Sequence, residues 1–241
     1  MSGQGGVLAG DDYVDTDVAY LLGMLFGRGQ LIERDDTRRL VITLDIRKRS
    51  PTLPPGLKFD LDLDLANERA LNVVRRRIND LLDANVDVAP IKKGTTTLTA
   101  VFVKPTIAWR DLKLLCSNGT DRSNFQLPKS FFALPVSLHE EFLRGFGDVA
   151  VTPSYADRDQ GKRVRIAFPV VHGNSTFAKQ LVKVFKKIDI DAKLLAGTAK
   201  KRGSKKEHRV RVYAEDYETV GFGFSHKQRL LELLAEYNRS L

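Results

Sequence analysis

The sequence predicts an α+β protein built from two pseudo-symmetric αββαββα repeats, each with its own antiparallel sheet. Two apolar helices that carry glycine end at matching junctions, residues 21–29 and 143–151. The order of predicted elements after each junction is the same, which indicates an internal repeat. A polar stretch of turn-forming residues separates the halves. We therefore predict a flexible tail over residues 1–13, repeats over 14–118 and 127–241, and a linker over 119–126.

The two junction helices are expected to pack against each other about a pseudo-twofold axis. Each has glycine on the face that would meet the other helix, Gly23 and Gly27 in the first helix and Gly145 in the second. Because glycine has no side chain, two backbones can approach closely where it lies. These glycines are predicted to form the seam between the halves.

Each junction leads into a predicted β-hairpin rich in arginine. Its strands cover residues 30–34 and 39–47 in the first half, and residues 151–155 and 163–168 in the second. Apolar and polar residues alternate along these strands, so one face of each is expected to be buried and the other exposed to water. The segment 48–64 has no counterpart in the second half and is predicted to be an inserted loop.

The remaining elements also repeat. Apolar residues at three- and four-residue spacing predict an amphipathic helix in each half, and a second hairpin and a final helix follow it. These elements are centred on residues 71–82, 97–103 and 107–115 in the first half, and on residues 177–188, 209–213 and 226–237 in the second.

Composition limits the class of protein. The chain has 241 residues, of which 42% are hydrophobic, enough for a core in each half. The apolar runs are shorter than a membrane span requires, so we expect a cytoplasmic monomer with no membrane partner. The single cysteine, Cys116, excludes an internal disulfide and a cysteine-based zinc site. The four histidines are scattered without metal-ligand spacing, so no metal and no cofactor are expected.

Charge favours a polyanionic partner. The net charge is +9 and the isoelectric point is near 9.6, and a basic surface binds phosphates with release of counterions. The alternative is a soluble protein that happens to be cationic. The predicted outer strand faces combine arginine with threonine and aspartate, which can bond to base edges. The residues predicted to contact nucleic acid are Arg34, Arg38, Arg39, Thr43, Asp45, Arg47, Lys92, Lys93, Thr97, Thr99, Arg158, Arg163, Arg165, Lys200, Lys201, Arg202, Lys205, Lys206, Arg209 and Arg211.

The repeat and its junctions resemble the LAGLIDADG homing endonuclease family in its single-chain, two-repeat form. The run Leu22-Gly23-Met24-Leu25-Phe26-Gly27-Arg28-Gly29 resembles the family variant in which an apolar helix ends in Gly-Asp-Gly. The run Phe142-Leu143-Arg144-Gly145-Phe146-Gly147-Asp148 is similar to the entry into the second motif. The resemblance covers nearly all of the chain from about Val14. It implies a saddle of two four-stranded sheets over duplex DNA, with the motif helices at its centre.

The resemblance also implies a metal centre, which the residues do not support. In active members, an acid just before the last glycine of each motif binds divalent metal at the scissile phosphates. Arg28 and Ala150 occupy these positions, so both motifs are degenerate. Arginine cannot ligate magnesium, and alanine has no oxygen to offer. Asp148 lies two positions before Ala150 and is the fallback carboxylate.

We therefore expect a sequence-specific protein that binds double-stranded DNA and has lost cleavage. Arg28 would neutralise a phosphate at the bottom of the saddle. One alternative is a metal-dependent DNA endonuclease, homing or restriction-like, with Asp148 in a rearranged centre and magnesium as cofactor. A second alternative is a maturase-like splicing factor that binds RNA, because side-chain donors alone do not specify the polymer.

Overall fold

The computed structural model describes residues 14–34, 37–45, 51–82, 86–92, 95–102, 107–157, 162–195 and 207–241. The predicted tail over residues 1–13 therefore lies outside the described residues. The first half contains α1 (Thr16–Arg28), β1 (Gly29–Arg34), β2 (Thr37–Asp45), α2 (Leu63–Leu82), β3 (Val86–Lys92), β4 (Thr95–Phe102) and α3 (Ile107–Leu115). The second half contains a 3₁₀ helix (Lys129–Ala133), α4 (Val136–Ala150), β5 (Arg165–Val171), α5 (Ser175–Lys187), β6 (Lys193–Leu195), β7 (Glu207–Tyr213), α6 (Ala214–Tyr217) and α7 (Ser225–Arg239).

Polar side chains mark where two of the helices begin. The Asp15 carboxylate accepts a hydrogen bond of 2.8 Å from the backbone N–H of Val18 and caps α1. Asn174 caps α5 in the same way, through the N–H of Phe177 at 3.0 Å. The Asn174 amide also donates to the Phe125 carbonyl at 2.8 Å, which fixes the end of the predicted linker against the second half.

The strands form two antiparallel sheets. The first sheet has the order β1-β2-β4-β3 and the second has the order β5-β7-β6. In β2, Leu40, Ile42 and Leu44 are buried against the helices, and in β5 the same is true of Ile166 and Phe168. We call the opposite side of each sheet its outer face. The predicted alternation of buried and exposed strand residues is therefore confirmed.

In the part of the chain that the structure describes, the second sheet has three strands, and the strand predicted over residues 151–155 is wrong. The burial of this segment alternates as it does in β1, which explains why the sequence suggested a strand. However, Pro153 has no N–H to donate to a ladder. The Tyr155 N–H bonds instead to the Thr52 carbonyl at 3.0 Å, and the Asp157 N–H closes a turn on Ser154 at 3.1 Å. The Thr52 carbonyl of the inserted loop thus accepts the hydrogen bond that a carbonyl of a neighbouring strand would otherwise accept.

The core runs without interruption from the first half into the second. Phe26 of α1 contacts Phe125, Phe142 and Phe177, with ring centroids 4.7–5.6 Å apart. Cys116 is fully buried, and burial raises the pKa of its thiol. Among the described helices, none has the length and apolar character needed to cross a membrane.

Candidate nucleic-acid interface

Helices α1 and α4 cross at the centre of the molecule, where glycines allow their backbones to touch. A Cβ atom added to Gly23 would overlap the Phe142 carbonyl oxygen, and one added to Gly145 would overlap the Tyr20 carbonyl oxygen. Gly27 lies one turn further along, where a Cβ would come 2.6 Å from Cγ2 of Val149. The close approach predicted from these three glycines is present, and it brings the C-terminal ends of both helices to one place.

The end of α1 opens into a pocket of about 320 Å³ between the two sheets. Gln30 and Thr43 line it from the outer face of the first sheet, and Val171 lines it from the second. Arg28 is the last residue of α1, and its Nε atom is buried without a hydrogen-bond partner. The pocket therefore lies at the junction of the two outer faces, at the position predicted for Arg28.

A second guanidinium enters this pocket from the linker. Arg122 points an Nη1 atom at the Gly27 carbonyl, 3.5 Å away. Burial lowers the pKa of Arg122, and the positive charge of Arg28 lowers it further, while Glu207 and Asp121 raise it. Arg28 and Arg122 are thus two neighbouring cations at the bottom of the interface.

The end of α4 has no pair of guanidinium groups, and its cation is the Lys227 ammonium, which binds the Asp148 and Val151 carbonyls. Ala150 is 7% exposed and offers no polar atom beyond its backbone. Asp148 is 1% exposed and accepts hydrogen bonds from the Tyr20 hydroxyl at 2.6 Å and from the N–H groups of Gly223 and Phe224 at 3.2 and 3.1 Å. These bonds join α1, α4 and the start of α7.

Asp148 is consequently a structural carboxyl group. Burial raises its pKa to about 6, although the nearby Lys227 ammonium and the hydrogen bond from Tyr20 oppose the shift. The Lys227 Nζ atom binds the Asp148 and Val151 carbonyls at 2.5 Å each, which satisfies the end of α4. Within the described residues, no group of three or more His, Cys, Asp or Glu side chains could hold a metal ion. Asp148 already accepts three hydrogen bonds, and its fallback role as a metal ligand stays a prediction.

The outer face of the first sheet is polar and carries charges of both signs. Cross-strand neighbours along it include Thr43 beside Thr97 and Thr99 beside Asp87. Arg34 and Arg39 are exposed on this face. Arg38 has the opposite orientation, because it pairs with Glu33 on the inner side at 3.1 Å. One position along a strand reverses the side-chain direction, and the predicted contact of Arg38 with nucleic acid stays a prediction.

The outer face of the second sheet is strongly basic. Arg165, Arg209 and Arg211 all lie on it, as does Lys193 of β6, which is the direct neighbour of Arg211. Asp157 lies 3.7 Å from Arg211 and 4.0 Å from Arg209, so one carboxylate lies beside two guanidinium groups. Four cationic side chains and the Glu207 carboxylate share this face, which therefore carries more net positive charge than the outer face of the first sheet.

Tyr213 organises one end of the second outer face. The guanidinium carbons of Arg163 and Arg165 each lie 3.8 Å from the centroid of its ring. Its hydroxyl accepts a hydrogen bond of 2.6 Å from Arg165. Arg163 also forms an ion pair with Glu215, beside β7. Arg165 is thus held in one orientation by a stacked ring, as a side chain that recognises a flat base edge requires.

Some predicted contact residues cannot be placed. The predicted contact residues outside the described part of the chain are Arg47, Lys93, Arg158, Lys200, Lys201, Arg202, Lys205 and Lys206. Asp45 and Lys92 lie at described strand positions, and Asp45 is paired with Thr95. Their roles stay predictions.

Sequence reasoning missed three residues at this interface. Lys193 was overlooked because β6 has only three residues and no clear alternation. Tyr213 was taken only as the end of a strand, although Arg211 and Tyr213 share one face by simple alternation. Arg122 lies in the linker, and no local pattern could show that the linker returns to pair with β1 through Asp121 and Gln30.

Similarity to proteins of known structure was found at the level of fold. No protein-family model matches the sequence, and no curated protein matches it. Full-length DUF199/WhiA from Thermatoga maritima is similar with a TM-score of 0.50 and 14% identity, over 92% of this chain and 60% of that chain. The N-terminal LAGLIDADG domain of DUF199/WhiA gives a TM-score of 0.46 and 13% identity, over 92% and 84% of the two chains. The LAGLIDADG meganuclease I-AabMI bound to uncleaved DNA gives 0.49 and 11%, over 94% and 92%.

The chain has a LAGLIDADG-like fold. The predicted α+β class and the paired antiparallel sheets are confirmed, with the second sheet one strand smaller than expected. At 14% identity the likeness shows the fold alone. Function has to be argued from the side chains of this chain.

Proposed function

We propose that the chain binds double-stranded DNA in a sequence-specific manner and does not cleave it. The observation that carries the proposal is the pair of outer sheet faces that meet at the pocket beside Arg28. Among the described residues, the helices pack on the inner faces, and the outer faces are left for a partner except where residues 121–123 line the pocket and where Asp157 lies beside Arg211. Arginine and lysine outnumber carboxylates on these faces, where Asp87 and Glu207 are also exposed.

Two kinds of contact support a duplex as the partner. Lysine and arginine neutralise backbone phosphates and give affinity that falls as salt concentration rises. Arginine can also bond in two places to guanine in the major groove, and that groove is wide enough to admit a two-stranded β-ribbon. Arg165, Arg209 and Arg211 are projected from neighbouring strands, which suits contacts along consecutive base pairs.

The absence of cleavage is proposed from the two helix ends. A two-metal mechanism needs carboxylates that bridge cations over the reacting phosphate. Arg28 and Ala150 end the two crossing helices, and the nearby Asp148 is buried and already accepts three hydrogen bonds. A fixed cation at Arg28 would also repel a divalent ion.

The experiment is selection from random duplexes followed by a binding and cleavage assay. The expected result is an enriched site, a gel shift with one chain per duplex, and intact DNA in magnesium or manganese. Strand breaks that disappear in D148N would support the endonuclease alternative. Preference for structured RNA over the enriched duplex at equal salt would support the maturase-like alternative.

A further inference from the structure

The pocket between the two sheets has the features of an anion site. Its polar lining is formed by Arg28, Gln30, Thr43, Arg122 and the hydrogen-bonded pair Asp121 and Ser123, so guanidinium, amide and hydroxyl groups and one carboxylate surround a volume of about 320 Å³. The buried Nε of Arg28 has no hydrogen-bond partner. A buried donor that is left unpaired costs free energy, and an external acceptor would remove that cost.

Arg122 is held in place by its backbone. Its carbonyl accepts a hydrogen bond of 3.0 Å from Asn174, the residue that caps α5. The next residue, Ser123, bonds to the Asp121 carboxylate through its N–H at 2.7 Å and its hydroxyl at 2.5 Å. The linker is therefore folded against both halves, and it presents the Arg122 guanidinium beside Arg28 as part of the built structure.

Two neighbouring guanidinium groups repel each other unless an anion lies between them. The Arg28 charge and burial both disfavour the charged form of Arg122. The carboxylates of Asp121 and Glu207 offset part of this charge, so the pocket suits a group with one negative charge better than a multivalent anion. A phosphodiester carries one negative charge and oxygens that can accept from both arginines.

We propose that Arg28 and Arg122 together bind one phosphoryl group, the backbone phosphate at the centre of the bound duplex. The inference rests on the proposed function and adds a specific contact to it. The pocket lies between the outer faces, where a duplex that spans both sheets would pass. Arg122 is a positioning and binding residue that no motif of the chain indicates.

The test replaces single backbone phosphates of the selected duplex with uncharged methylphosphonates and measures affinity for the wild type and R122Q. The wild type is expected to lose about tenfold in affinity at one central position, the order of effect of one charge-assisted hydrogen bond. R122Q is expected to be less sensitive at that position, because Arg28 alone remains there, and to keep its sensitivity elsewhere. Its salt dependence should also fall by about 0.9 in the slope of log K against log salt.

R75Q is the matched control, because Arg75 is an exposed arginine on α2. It should behave as the wild type at every methylphosphonate. R122K keeps the charge and should retain the central sensitivity in weaker form. Equal sensitivity of R122Q and the wild type at the central position would overturn the proposal, provided that both proteins give the same circular dichroism spectrum.

A second experiment distinguishes an error in the proposed DNA binding from an error in the proposed phosphoryl pocket. If the wild type binds no duplex, inorganic phosphate is titrated into the wild type and R122Q, and the backbone amide of Ser123 is followed by NMR. Saturable shifts in the wild type that R122Q lacks would keep the pocket as a site for a free phosphoryl group. Identical spectra, with and without phosphate, would overturn the pocket itself.

Discussion

The two halves of the molecule differ least where their helices cross and most on their sheets. At the crossing, Gly23 and Gly145 play the same part, each making room for the backbone of the other helix. On the sheets, the first outer face has four strands and is dominated by threonine, while the second has three strands and four cationic residues. The helix crossing requires glycine in both halves, because each glycine makes room for the backbone of the other helix. An outer strand face has no such packing requirement, so its residues can differ between the two halves.

A second difference lies inside the crossing helices. Phe26 in α1 and Asp148 in α4 are each three residues beyond the matching glycine. Phe26 packs among aromatic rings, while Asp148 accepts hydrogen bonds from Tyr20 and from the start of α7. The two corresponding residues therefore stabilise the fold in different ways, Phe26 by apolar packing and Asp148 by buried hydrogen bonds.

The largest expected effect is on the shared seam. G23A and G145A should each lower the free energy of unfolding by about 3 kcal/mol or more, because even one added methyl group meets a backbone carbonyl of the other helix. Urea unfolding measures the change. G173A is the control, since a Cβ there has nothing within 4 Å. Similar losses for the two seam variants would support pseudo-symmetry, and no loss in either would contradict the crossing.

The second prediction concerns Asp148 and pH. Its folded pKa is about 6, against an ordinary value of 3.8. Because the folded value is raised, the stability that its protonation contributes is present below about pH 4 and is lost as pH rises to about 6, a change of about 3 kcal/mol. The difference in free energy of unfolding between the wild type and D148N should therefore shrink from pH 4 to pH 6.

D148N itself should be less stable than the wild type by about 1 to 3 kcal/mol at low pH, because an amide cannot accept from Gly223, Phe224 and Tyr20 together. A difference that grows with pH would show that Asp148 is not a buried, proton-retaining group. The corresponding variant of the first half, F26L, should show no such pH dependence, because Phe26 does not titrate.

The third prediction tests the unequal sheets. R211Q and R209Q should each weaken binding to the selected duplex by about 1 to 3 kcal/mol and relax preference at particular base pairs. R39Q on the first sheet should have a smaller effect. Fluorescence anisotropy with the selected site and single-base variants measures both. An equal or larger effect of R39Q would mean that the charge difference between the two faces does not decide affinity.

The sequence predicted the features that depend on neighbouring residues and missed those that depend on residues far away in the chain. Alternation in β2 and β5 correctly placed Ile42 and Phe168 inside, and glycine spacing correctly placed the helix crossing. The absence of the strand predicted over residues 151–155 could not be inferred from alternation, because Pro153 and a distant partner, Thr52, decide the hydrogen bonds of this segment. Arg122 was not predictable either, since its place beside Arg28 depends on how the linker folds.

The smallest effect is expected from metal removal. Binding to the selected duplex should be unchanged by a chelator, because Arg28 and Arg122 already supply positive charge at the end of α1. Gel shifts with and without chelator measure this. An affinity that depends on added magnesium would contradict the account of the helix ends, and R75Q should respond as the wild type does.

The central claim is that the outer sheet faces bind duplex DNA, with most of the base recognition on the second sheet. Methylation protection of guanine N7 in the selected duplex, with the wild type and the R209Q/R211Q double variant, tests it most directly. The predicted result is guanine protection concentrated in one half of the site, lost in the double variant while the other half is unchanged. Protection that is unaffected by the double variant, or equal in the two halves, would contradict it.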